Sequence, residues 1–242
     1  MKIVGLIPAR YGAVRFPGKP LSLLAGKPMI QHVLEAARAA RRLDEVAVAT
    51  DDERIAQAVR AIGGRAVMTS PETPSGTDRL AEAARSLPAD VYVNIQGDEP
   101  LMSSENVDRA VETLLADESR EIASLAYPLA AERAEDPNVV KVVTTAEGRA
   151  LYFSRAPIPY YRQGTPAHRK HLGIYVYRAD VLRAISALPP SALERAESLE
   201  QLRWLEAGYS IWIGEALHDS VGVDTPADRD EVERRMKKEA VP

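Results

Sequence analysis

The 242-residue chain contains no cysteine, which excludes disulfides, thiolate nucleophiles and cysteine-ligated zinc. That absence suits a reducing compartment and points to the cytosol. Long apolar runs are missing too. Ile3 to Pro8 is the only apolar stretch before Arg10, too short for a signal-peptide core, and nowhere do about 18 apolar residues follow one another. No membrane contact is expected. Acidic residues are absent from the first 34 positions, which carry Lys2, Arg10, Arg15, Lys19 and Lys27. The whole chain has 31 Lys and Arg against 35 Asp and Glu, so this cationic start is balanced by a clearly acidic remainder. A net charge of −4 argues against general nucleic-acid binding, while the acid-free N-terminus predicts an anion docked close by.

Hydrophobic residues make up 45% and charged residues 27%, enough apolar material for one large core. The pattern alternates. Ile3–Pro8 reads as a buried strand, Met29–Arg41 as an amphipathic helix, Val46–Thr50 as a strand, and Asp52–Ile62 as a helix closed by Gly63 and Gly64. Ala66–Thr69, Thr77–Leu87, Val91–Ile95 and Ser104–Leu115 continue the series as strand, helix, strand and helix. Such a βαβ series builds an α/β fold of Rossmann-like type, a mostly parallel sheet flanked by helices, whose ligands gather beyond the carboxyl ends of the strands.

Later segments form a β-rich sub-lobe at Ile122–Ala126, Val139–Thr144, Leu151–Ser154 and Leu172–Tyr177. Helices are expected at Ala179–Ala187 and Leu193–Ala207, then a strand at Ile211–Ile213 and a charged helix from Pro226 to Lys238. The expected organisation is a single domain, 1–242, with an α/β half at 1–118 and the β-rich sub-lobe at 119–215. Gly164-Thr-Pro is the expected mobile loop.

The segment after the first strand, Pro8 to Pro20, combines turn residues with Arg10, Arg15 and Lys19. Glycines let backbone N–H groups approach a phosphate, and three cations can neutralise a triphosphate and its leaving group. A Walker loop is excluded, because Ala13 stands at its first glycine position and Pro20 replaces the metal-binding hydroxyl. No G-x-G-x-x-G occurs. At the end of the strand Val91–Ile95 comes Gln96-Gly-Asp-Glu-Pro100, where Asp98 offers hard carboxylate oxygen of the kind Mg²⁺ takes; a plain β-turn is the bland alternative. Pro74-Ser-Gly-Thr-Asp-Arg opens a helix, and Ser75 with Asp78 fits a capping box. Asp228-Arg-Asp230, formally a glycosyltransferase-type Asp-x-Asp, reads instead as the solvated face of a charged helix.

In the second half, Phe153-Ser-Arg-Ala-Pro-Ile-Pro places Arg155 at a strand end. Arg169-Lys-His-Leu-Gly-Ile-Tyr puts His171 and Tyr175 on one strand face, and Glu200 and Gln201 lie on the helix of Leu202 and Leu205. Each alone reads as an ordinary surface or core residue.

Leu-Ile-Pro-Ala-Arg-Tyr, Arg-Phe-Pro-Gly-Lys-Pro-Leu and Gly-Lys-Pro-Met-Ile together resemble the nucleotide loop of sugar-activating cytidylyltransferases, specifically the 3-deoxy-manno-octulosonate (Kdo) cytidylyltransferases. Asn-Ile-Gln-Gly-Asp-Glu-Pro resembles the Mg²⁺-holding segment of that family. Tyr-Phe-Ser-Arg-Ala-x-Ile-Pro, His-Leu-Gly-Ile-Tyr and Leu-Glu-Gln-Leu-Arg resemble its Kdo-recognition motifs in the same order. Phe16 stands where Leu is commoner.

The resemblance implies a nucleotidyltransferase or GT-A-like fold, with CTP and Kdo as substrates and Mg as cofactor. Lys19, Asp98, Arg10 and Arg15 would be the catalytic set. Ala9, Arg10, Lys19, Ser75, Gly76, Arg79, Gln96, Gly97 and Asp98 would bind the nucleotide, and Asp98 and Asp224 the metal. Arg155, His171, Tyr175, Glu200 and Gln201 would bind the sugar acid. It further implies that 1–118 is the mainly nucleotide-binding half and 119–215 the mainly sugar-acid-binding sub-lobe, through which a homodimer forms, with a cytoplasmic location and a role in lipopolysaccharide synthesis. The 8-amino analogue of Kdo and a nonulosonic, sialic-type acid remain as alternative substrates, and a non-catalytic nucleotide sensor as a different class.

Overall fold

The computed structural model describes residues 1–12, 15–164 and 167–239, with side chains as far as residue 237. Two compact units emerge, one built from residues 1–108 together with 219 onward, the other from Arg109–His218.

The first unit begins with β1 (Ile3–Ala9), in which six of seven residues are buried. That continuous burial marks a strand covered on both faces, as expected in a parallel sheet. A small hairpin follows, β2 (Leu23–Leu24) and β3 (Lys27–Pro28), which the hydrophobic pattern is too short to reveal. Its turn uses positive φ at both Ala25 and Gly26.

Helix α1 (Met29–Ala39) buries Met29, Ile30, Val33, Leu34 and Ala37, a stripe at three- and four-residue spacing. Then come β4 (Glu45–Thr50), α2 (Glu53–Ala61), β5 (Arg65–Met68), α3 (Gly76–Ala84), β6 (Val91–Asn94) and α4 (Ser104–Leu115). Asp52 caps α2 by accepting from Arg54 N, and Ser75 caps α3 by accepting from Asp78 N. The strands order β6-β1-β4-β5 and run parallel, with Leu6 opposite Asn94 and Ala9 opposite Thr50. That register brings the loops after β1, β4 and β6 out at one edge.

The second unit contains β7 (Ile122–Pro128), β8 (Lys141–Thr144), β9 (Ala150–Ser154) and β10 (Arg169–Arg178). Three helices follow, α5 (Ala179–Ser186), α6 (Ala192–Glu197) and α7 (Gln201–Glu206), and then β11 (Ile211–Glu215). β10 pairs antiparallel with β7 and β8, β8 antiparallel with β9, and β11 parallel with β7. The single helix expected over Leu193–Ala207 is two helices. Ser191 and Glu194 form a capping box that starts α6, and Ser198, at φ 52, ends it in the left-handed region. No glycine or proline announces that break.

Between Leu172 and Tyr175 the β10 register against β7 shifts by two extra residues. An even number preserves the alternation of faces, so His171 and Tyr175 still share one side. Thr165 and Pro166 of the expected mobile loop lie outside the described residues.

The chain closes in the first unit with α8 (Pro226–Glu239). Val232 on this helix packs with Leu24, Met29 and Val223, and Phe16, Leu101, Val221 and Met236 cover the cluster. This small core ties the 221–224 segment to the loop after β1. Among the described residues no helix is long and apolar enough to cross a membrane.

Candidate active site

At the carboxyl edge of the first unit's strands lies a cavity of about 310 Å³, inside the range of small-molecule sites. Its first wall is the loop after β1, including Ala9, Arg10, Arg15 and Lys19. Gly18, at φ 73, precedes a 3-10 turn over Lys19–Leu21, and its N–H donates to Tyr11 O at 2.8 Å. A side chain there would meet both a positive φ and the Tyr11 ring at 3.1 Å, so glycine is required. The Arg54 guanidinium lies 3.4 Å above the Tyr11 ring and pairs with Asp52 at 2.6 Å, which fastens the start of the loop to α2.

The opposite wall is the segment after β6. A Cβ on Gly97 would lie 2.6 Å from Pro8 O, so only glycine allows this strand end to approach β1 so closely. That approach brings Asp98 to Lys19, whose Nζ donates to the Asp98 carboxylate at 2.7 Å and to Val223 O at 2.7 Å. Asp224 lies 3.5 Å from the same nitrogen, and Arg15 pairs with its other oxygen at 3.1 Å. Val223 N donates back to Asp98 O at 2.8 Å, so the two acidic segments hold each other.

Asp228 is half-buried and bonded rather than part of a solvated face, whereas Asp230 is exposed. Its carboxylate accepts from Asp224 N at 3.0 Å and from Thr225 N at 2.8 Å, bracing the turn that carries Asp224. Burial alone would raise its carboxyl, but the hydrogen bonds from Thr225 and the Asp224 backbone outweigh that and hold it below the usual range. Thr225-x-x-Asp228 is a capping-box pattern, the sequence signal that could have found it.

Ser75, Gly76 and Arg79 complete the cavity with Gln96. Ser75 and Gly76 open α3 and line the cavity, so the helix start presents its positive dipole end there. Arg79 is almost fully buried, its guanidinium donating to Thr69 Oγ1 at 2.5 Å and to Asp51 at 3.1 Å. Asp51 and Thr69 were not foreseen, since each ends or follows a strand without any motif around it. Among the described residues no carboxylate pairs with Arg10, which is exposed at the cavity wall.

All eleven residues expected for catalysis, nucleotide and metal thus line one cavity. Its donor set fits Mg²⁺: two hard carboxylates, Asp98 and Asp224, beside a place for phosphate, since this ion takes one or two protein carboxylates and fills its octahedron with water and phosphate oxygens. Among the described residues no cluster of three or more His, Asp or Glu forms a complete protein cage.

The five residues expected to bind the sugar acid all lie in the second unit. Arg155 donates from Nε to Glu197 O at 2.7 Å, from Nη1 to Pro137 O at 2.8 Å and from Nη2 to Ser198 O at 3.3 Å. It thereby pins the end of β9 to the α6–α7 junction, just before Glu200, the N-cap of α7, and Gln201, its buried first residue.

His171 is buried against Phe153 and Tyr175, and burial, helped by the neighbouring Lys170 charge, pushes its imidazole down to about 3. It is therefore neutral near pH 7. Tyr175 stacks edge-on to Trp204 with ring centres 5.1 Å apart. Lys141, which no motif marked, is fully buried with its ammonium on the carbonyls of Asp136 (3.1 Å), Val139 (2.6 Å) and Arg155 (2.5 Å).

A parallel sheet that gathers cations, two carboxylates and a helix N-terminus at its carboxyl edge defines a nucleotide-handling α/β protein. Residues 4–211 match the family model described as cytidylyltransferase. A 3-deoxy-manno-octulosonate cytidylyltransferase of Syntrophobacter fumaroxidans is 52% identical over 100% of this chain and 99% of its own. Another, from Geobacter metallireducens, is 49% identical over 98% of this chain and 99% of its own. Among solved structures, that of CMP:2-keto-3-deoxy-manno-octonic acid synthetase complexed with CTP superposes with a TM-score of 0.95 at 48% identity, covering 99% of this chain and 100% of that one. The chain belongs to the family of 3-deoxy-manno-octulosonate cytidylyltransferases.

Proposed function

We propose that the protein activates Kdo with CTP, giving CMP-Kdo and pyrophosphate. The observation that carries this reading is the meeting of Lys19, Arg15, Asp98 and Asp224 in one cavity, which juxtaposes polyphosphate-neutralising cations with metal-type carboxylates. The anomeric hydroxyl of the sugar acid attacks the α-phosphorus in line. The new O–P bond forms as the bond from the α-phosphorus to the bridging oxygen breaks, and the hydroxyl proton is lost to solvent or a nearby base.

Arg10, Arg15 and Lys19 bind the β- and γ-phosphates and stabilise charge on the departing pyrophosphate. Ser75, Gly76, Arg79, Gln96 and Ala9 position the nucleoside part. Asp98 and Asp224 would hold Mg²⁺, which when bound supplies charge neutralisation and lowers the pKa of the attacking alcohol. Arg155, His171, Tyr175, Glu200 and Gln201 are assigned to the carboxylate and hydroxyls of the sugar acid, with positioning as the main source of rate.

The same reading makes the protein a cytoplasmic homodimer serving lipopolysaccharide synthesis, as the family resemblance implies. Initial rates of pyrophosphate release with CTP and Mg²⁺ on Kdo, 8-amino-Kdo and a nonulosonic acid test it. Kdo should give the highest kcat/KM. Preference for either other acid would reassign the substrate, and CTP binding without pyrophosphate release would leave a nucleotide sensor.

A further inference from the structure

Ser124 lies on β7 directly opposite Tyr175, on the face that also carries His171. It is fully buried. Its Oγ sits 2.7 Å from Ile174 O, 3.2 Å from Leu172 O and 2.8 Å from His171 Nε2. The two carbonyls belong to the irregular stretch where β10 slips by two residues against β7, so the hydroxyl serves backbone groups beside a break in the ladder.

A hydroxyl has one hydrogen. Two carbonyls can only accept, and an unsatisfied buried carbonyl costs about 1–3 kcal/mol. With the Ser124 hydrogen donated toward the Ile174 and Leu172 carbonyls, Oγ is left to accept, and among the described residues the hydrogen-bonding side chain that meets it is His171, through Nε2. A neutral imidazole protonated at Nε2 has a bare lone pair at Nδ1. Among the described residues no hydrogen bond reaches Nδ1, and the residue keeps 8% exposure.

We propose that Ser124 is a positioning residue for acceptor recognition: it fixes His171 as the Nε2–H tautomer, so that Nδ1 accepts a hydrogen bond from a hydroxyl of the sugar acid. The inference rests on the reading that His171 contacts that substrate. It makes a distinct statement about specificity. At this position the pocket selects a hydroxyl or amine donor and disfavours a deoxy centre or a pure acceptor, because a deoxy or acceptor group would leave the buried lone pair unpaired.

The test is ¹⁵N spectroscopy of the histidine rings in the full-length wild-type protein and in Ser124→Ala, with kinetics on CTP and Kdo. Wild-type His171 should carry its proton on Nε2 throughout pH 6–8. Ser124→Ala should lose that single tautomer and raise the KM for Kdo about tenfold, with kcat and the KM for CTP within twofold. Ser124→Thr, which keeps the hydroxyl, should restore both. A wild-type ring protonated at Nδ1, or an alanine variant with an unchanged KM for Kdo, overturns the proposal even in an active enzyme. Wild-type protein that releases no pyrophosphate from CTP and Kdo would instead sink the functional reading, and the ring spectrum would still report the tautomer.

Discussion

Lys19 and Asp98, 79 residues apart in sequence, meet at 2.7 Å, and the lysine nitrogen at the same time reaches Val223 O and Asp224. One cation thus joins the loop after β1, the end of β6 and the segment before α8. Because Lys19 is only 12% exposed at its side chain, its pairs are held in a less screened setting than surface ion pairs. A polyphosphate entering the cavity would compete with both carboxylates for this ammonium.

Asp98→Asn removes an anionic oxygen while keeping shape and most hydrogen-bonding capacity. Pyrophosphate release at saturating CTP and Kdo should fall by at least about a hundredfold, a loss of some 3 kcal/mol in transition-state stabilisation. The melting temperature should stay within a few degrees of wild type. Turnover near wild type would remove Asp98 from the metal site.

Lys19→Ala takes away the cation shared by Asp98 and Asp224. The KM for CTP should rise and kcat fall, together costing tenfold or more in kcat/KM for CTP, while the KM for Kdo changes much less. Equal effects on both substrates would contradict the assignment of this loop to the nucleotide.

Gly97→Ala is expected to be costly despite adding a single methyl. Its Cβ would sit 2.6 Å from Pro8 O, a backbone atom of a buried strand that cannot simply rotate away. About 1–3 kcal/mol of stability should be lost in urea unfolding, with a raised KM for CTP. Wild-type stability in this variant would mean that the β1–β6 edge can relax, contrary to the register.

Asp51→Ala should destabilise the fold by about 3 kcal/mol, since it leaves the buried Arg79 guanidinium without its anionic partner. Urea unfolding measures this. Loss of nucleotide affinity should accompany it, because Arg79 lines the cavity.

His171 sets a pH dependence whose sign follows from its neutrality in the fold. The unfolded chain takes up this proton near pH 6.5 and the folded protein only near 3, so between those values the unfolded state binds more protons. Stability should fall as pH drops from 6.5 toward 3, with a slope from this group approaching about 1.4 kcal/mol per pH unit. In His171→Gln the slope between pH 6.5 and 4 should be shallower. An unchanged slope would mean the imidazole is not sealed from protons.

The nucleotide side was legible because its residues sit in contiguous strand-end segments. A buried apolar run followed by turn residues places Arg10, Lys19 and Asp98 at a sheet edge by period alone. Asp224 entered only through the family likeness. Asp51, Thr69 and Ser124 escaped because each acts through a partner distant in sequence, and Asp228 escaped because its charged neighbours suggested a solvent face. The split of Leu193–Ala207 at Ser198 escaped for a different reason: a non-glycine residue in the left-handed region leaves no mark in the composition.

Local pattern by itself therefore determined the alternation of strands and helices, the cationic loop and the acidic strand end. Side-chain period and turn chemistry are properties of neighbouring residues. Folding decided which of those groups share a proton or a charge: that Lys19 links three segments, that Arg79 is spent on Asp51 and Thr69, and that Ser124 Oγ meets His171 Nε2. Hydrogen bonds and ion pairs act over about 3 Å. Whether two side chains come that close depends on strand register and on the burial that fixes it, neither of which a linear sequence contains.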